Sequence, residues 1–122
     1  MKPLARAWRQ GLNSLARGQV ALTRESPDAY RQAKRRKAQA NHAYLLSAFW
    51  ASSPQLDVLR QAHGLPLDEE PDSLMRLEAV WQTQHPAHVA LMALIDQDPV
   101  LQAAAVKLKQ ARAGVVRWSV TL

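Results

Sequence analysis

Five cations, Arg31, Lys34, Arg35, Arg36 and Lys37, stand within seven residues of the segment YRQAKRRKAQANHAYLLSAFW (30–50). Held that close, like charges raise one another's energy, so the cluster is better explained with an anion nearby. Each phosphate such a cluster neutralises releases counterions, which is the physical source of affinity for nucleic acid. Tyr30 and Tyr44 flank it and could stack on bases, although aromatics on helices more often pack. The chain shows no zinc-finger spacing, RNP aromatic pattern or GXXG loop, and no clear turn for a helix-turn-helix. Contact would therefore run through backbone phosphates with little sequence preference. Phosphates are common to DNA and RNA, so this chemistry does not select between them. The competing reading is a solvated charge run.

Further cations precede this cluster. At about 100° per residue, Leu4, Trp8, Leu12, Leu15 and Leu22 share one side of a helix over residues 4–24. Lys2, Arg6, Arg9, Asn13, Arg17 and Arg24 share the other. Arg6, Arg9 and Arg17 therefore join Arg31, Lys34, Arg35, Arg36 and Lys37 as candidate nucleic-acid contacts. A solvated cationic face and an anionic membrane surface compete for the same pattern.

Other reactive types are present without a pattern that uses them. His85 and His88 are three residues apart, but a metal needs further ligands, and Asp96 or Asp98 would have to reach back about a helix length. Capping or surface roles suit the four histidines better. The acidic run Asp68, Glu69, Glu70 and Asp72 lacks EF-hand spacing and reads as a solvated loop. Four glycines form no phosphate-binding loop, and no nucleophile elbow occurs. Without cysteine there are no disulfides, thiolate metal sites or thiol catalysis. The chain is thus expected to be non-enzymatic, with no cofactor and no metal.

The elements that would carry these residues are marked by proline. SPDAY (26–30), SPQLD (53–57) and DPVLQ (98–102) place Ser or Asp directly before Pro, the pattern of a capped helix start. HPAHV (85–89) is a weaker version. Helices are expected over about 4–24, 27–51, 54–63, 72–84, 87–96 and 99–113, with Gly64 and Gly114 as stops and LPLDEEP (65–71) as the one sizeable loop. The helix at 27–51 serves two environments. Its C-terminal half, with Leu45, Leu46, Phe49 and Trp50, is core, and its N-terminal half is exposed on most sides. The last eight residues, VVRWSVTL, alternate. Val116, Trp118, Val120 and Leu122 would form one face of a strand, which needs a partner for its backbone. These four are the candidate interaction residues, facing a second copy or another subunit. Packing is the expected role of Trp8, Trp50 and Trp81.

At 122 residues and 48% hydrophobic, the chain is expected to be one all-α domain. That domain is a compact bundle of five to six helices with a C-terminal extended, β-like segment. Its charge is divided. Residues 1–61 hold 11 Lys and Arg against 3 acids (+8), and residues 62–122 hold 5 against 7 (−2), giving the net +6. The acidic-to-neutral half runs from 62 to 114 and the strand or arm from 115 to 122. A basic half suggests a polyanionic partner. No apolar run reaches transmembrane length, MKPLARAWRQ lacks a secretory block, and the absence of cysteine suits the cytoplasm. Richness in Ala, Gln, Arg and Leu suits a bacterial or phage accessory protein. The reading that follows is a small basic subunit contacting nucleic acid inside a larger assembly or homo-oligomer. The alternative is a protein-interaction adaptor using apolar grooves or the C-terminal strand.

Overall fold

The computed structural model describes residues 27–119. They form five helices: α1 (Pro27–Trp50), α2 (Pro54–Ala62), α3 (Pro71–Ala79), α4 (His88–Asp96) and α5 (Pro99–Ser119). The helix expected over residues 4–24 lies outside the described residues. The chain divides into two compact units, Met1–Arg36 and Lys37–Leu122.

The proline-marked starts form as their chemistry dictates. The Ser53 hydroxyl accepts the Gln55 amide at 3.1 Å, with Pro54 in the first turn of α2. The Asp98 carboxylate accepts the Val100 amide at 2.9 Å at the start of α5. Helix α2 ends in a Schellman turn. Leu65 N bonds Arg60 O at 3.0 Å and Gly64 N bonds Gln61 O at 3.1 Å, with Gly64 in the left-handed region at φ 63. The Arg60 guanidinium closes this turn by donating to Leu65 O at 2.7 Å. In the loop that follows, Asp68, Glu69, Glu70 and Asp72 are all exposed. The Ser73 hydroxyl and the Glu70 amide hold the Asp68 carboxyl below its ordinary value.

Helix α3 stops at Ala79, short of the expected 84. Residues 80–87 instead make successive turns, with Trp81 N on Glu78 O, Gln82 N on Ala79 O, His85 N on Gln82 O and His88 N on His85 O. Pro86 contributes by biasing His85 away from helical backbone. The His85 imidazole Nδ1 accepts the Ala87 amide at 3.0 Å, and His88 Nδ1 lies 2.9 Å from Val80 O. Both histidines thus serve the backbone at the entry to α4.

The expected C-terminal strand is not formed. Helix α5 runs through Gly114 to Ser119, and no strand occurs among the described residues. Val116 and Trp118 therefore do not share a strand face, because residues two apart on a helix differ by about 200°. Val116 is exposed and Trp118 is half-buried; Val120 and Leu122 lie outside the described residues. The physical reason is backbone pairing. A lone strand leaves its amides and carbonyls unpaired, whereas a helix already running from Pro99 bonds each added residue internally. Gly114 has a helical neighbourhood with nothing within 4 Å of a Cβ placed on it, and its backbone is not left-handed. It does not act as a stop.

In the unit Lys37–Leu122, the core gathers Leu46, Phe49 and Trp50 from α1, Leu56 from α2, Leu77 from α3, Leu91 from α4, and Leu101 and Leu108 from α5. Val80, Ala87 and Leu65 join them from the connections. Trp50 is fully buried and meets Phe49 and Trp81 edge to face, with ring centroids 5.9 Å away in both cases. Such pairs add to the large apolar area each ring buries. None of residues 27–45 is buried. Helix α1 thus enters the core only through its last turns, with Leu45 partly buried against Leu46, Phe49 and Trp50, a shorter core stretch than the C-terminal half its sequence implies.

Candidate functional site

The cationic cluster occupies the opening turns of α1. Arg36 and Lys37 are exposed, and Arg31, Lys34 and Arg35 are half-buried. Consecutive residues on a helix turn by about 100°, so Arg35, Arg36 and Lys37 together sweep about 200° of its circumference. The Lys34 ammonium sits over the Tyr30 ring, 5.6 Å from its centroid. Among the described residues, no ion pair involves Arg31, Arg35, Arg36 or Lys37. Tyr30 is 41% exposed and Tyr44 71%, so neither is a packing residue of the core. Arg6, Arg9 and Arg17 lie outside the described residues.

A second cluster, which the sequence did not point to, lies at Glu78. On α3, its carboxylate receives Arg112 of α5 through two bonds. Arg112 Nε donates to Oε2, and Nη2 donates to Oε1 at 3.1 Å. His42 of α1 brings its Nε2 to 3.1 Å from Oε1. Three helices are thereby joined through one carboxylate. The Arg112 guanidinium also lies over the Trp81 ring, 5.3 Å from its centroid. Burial opposes ionisation of Glu78 most strongly. The bonds from His42 and Arg112 together outweigh it, and the carboxyl titrates below its ordinary value. A carboxylate held in its ionised form is a weak general base near neutral pH. The arrangement therefore acts as a clamp between helices.

No local signal in the sequence links these three residues. His42 lies 36 positions before Glu78, and Arg112 lies 34 after it. They become neighbours only when α1, α3 and α5 pack. The apolar stripe beside Glu78 was visible, in Leu74, Leu77 and Trp81 at helical spacing. The identity of each polar partner was not.

Among the described residues, no single helix is long and apolar enough to cross a membrane. No protein-family model matches the chain, and neither a curated protein nor a solved structure matches it significantly.

Proposed function

We propose that this chain is a small, non-enzymatic basic subunit that contacts nucleic-acid phosphates through the first turns of α1. It does so in the cytoplasm, as part of a larger assembly or a homo-oligomer. The observation that carries this reading is the arrangement of Arg35, Arg36 and Lys37 around α1, none of them in an ion pair among the described residues. Charges spread around a helix rather than along one stripe suit a diffuse phosphate surface better than a shaped pocket. The exposed rings of Tyr30 and Tyr44 add faces on which unpaired bases could stack.

The test replaces Lys34, Arg35 and Lys37 by Glu and follows anisotropy of a labelled DNA duplex and a labelled single strand at two salt concentrations. The wild-type chain binds with steep salt dependence. In the triple variant the salt slope falls by about 2–3, at roughly 0.7–0.9 for each phosphate no longer neutralised. Circular dichroism stays unchanged, because none of the three side chains is in the core. Unchanged affinity in the triple variant removes the cluster from the site.

A protein-interaction adaptor is the second reading. Val89, Val100 and Val116 favour it, being 78%, 72% and 61% exposed. A copurifying protein that stays bound at high salt, with no oligonucleotide binding, would select this reading.

A further inference from the structure

Helices α4 and α5 meet at a bend of 120°. Beside them a groove of about 490 Å³ is lined by Trp81, Met92, Ile95, Ala105 and Val106, with Lys109 and Arg112 toward the C-terminal side of α5. A volume of this order, a mainly apolar lining and a few polar groups are the general features of a small-ligand site. No acidic side chain lines it among the described residues. Helix α5 carries Lys107, Lys109, Arg112 and Arg117 and no acid at all.

The two lining cations differ. Arg112 is neutralised by Glu78, whereas Lys109 is exposed and has no ion pair among the described residues. They are three positions apart on one helix, about 5–6 Å between Cβ atoms, close enough for one carboxylate to address both. Along α5 the lining runs from Gln102 to Arg112, about 15 Å, with Met92 and Ile95 contributed by α4. That is the reach of an extended medium-length acyl chain with its head group.

We infer that this groove binds a small amphipathic anion. Its apolar body lies on Trp81, Met92, Ile95 and Val106, and its carboxylate or sulfonate head lies against Lys109 and Arg112. Lys109 and Arg112 donate charge-assisted hydrogen bonds to the head, and the apolar body covers exposed surface, including Val106, which is 55% exposed. This site is independent of the phosphate contacts proposed for α1.

The experiment titrates the full chain with 8-anilinonaphthalene-1-sulfonate and follows its fluorescence. Decanoate and decyltrimethylammonium, below their micellar concentrations, serve as competitors. The expected result is saturable enhancement displaced by decanoate, with the cationic amphiphile weaker by roughly tenfold, the scale of one charge-assisted contact. Lys109→Glu weakens decanoate by roughly tenfold and narrows the difference between the two head groups. Lys109→Gln gives an intermediate loss, and both variants retain the wild-type circular dichroism because Lys109 is exposed. Equal competition by the two head groups overturns the inference. So does non-saturable enhancement, or unchanged decanoate affinity in Lys109→Glu.

Discussion

Glu78→Gln isolates the charge of the interhelical clamp while nearly preserving its shape. The wild-type carboxylate accepts two bonds from Arg112 and lies in hydrogen-bond range of His42. Bonds to a charged group contribute about 1.5–3 kcal/mol each when dry. Glu78 and Arg112 keep 27% and 30% of their side-chain surface in water, so the Coulomb part is screened. Gln also retains one carbonyl acceptor. We therefore expect Glu78→Gln to cost about 1–2 kcal/mol at pH 7, at the low end for charged bonds. For a unit of this size that lowers the melting temperature by about 5–15 °C. The sign of the pH dependence follows from the depressed carboxyl of folded Glu78. Its contribution is fully present above the unfolded value of about 4.3 and is lost as pH falls through the lower folded value. Urea denaturation of both proteins, followed by tryptophan emission at pH 7 and at steps below pH 5, measures the gap between them. The gap should be full at pH 7, shrink with acid and close once wild-type Glu78 is protonated. A gap of the same size throughout refutes the electrostatic account and leaves only shape. No gap at pH 7 refutes the clamp itself.

Two further predictions concern α5. Gly114→Ala should stabilise the protein by about 1 kcal/mol, raising the thermal midpoint, because Gly114 sits inside a helix with open space around its Cβ. A lower midpoint would mean that the helix does not run through this position. Leu108→Ala should cost about 2–5 kcal/mol in urea denaturation, since Leu108 is fully buried, whereas Val116→Ala should change stability by less than about 0.5 kcal/mol.

Most of the helical framework was legible because its signals are local. Ser53–Pro54 and Asp98–Pro99 start helices through contacts spanning two residues, and Gly64 ends one by its own backbone conformation. In the C-terminal segment two periodicities overlap, and the alternating one does not form a strand. Val116, Trp118, Val120 and Leu122 alternate, but Leu108, Ala111, Val115 and Trp118 follow steps of three and four. The second pattern continues a helix already nucleated upstream, and cooperativity decides in its favour. The early end of α3 lies seven residues before Pro86, beyond that proline's own reach, and leads into a chain of turns that no single residue announces. For the candidate site, the charge cluster of α1 could be read directly, being contiguous. The Glu78 clamp and the groove along α5 could not, because each exists only once separate helices are packed.

The contact between Trp50 and Trp81 has an optical consequence. Two indoles at right angles, 5.9 Å apart, one on α1 and one just beyond α3, each give the other a fixed environment that separation would remove. The near-ultraviolet dichroism of this chain therefore reports whether α1 and the turn after α3 are docked, independently of how much helix is present. A state that keeps its far-ultraviolet helical signal and loses the near-ultraviolet bands would have separated these two rings while leaving the helices intact.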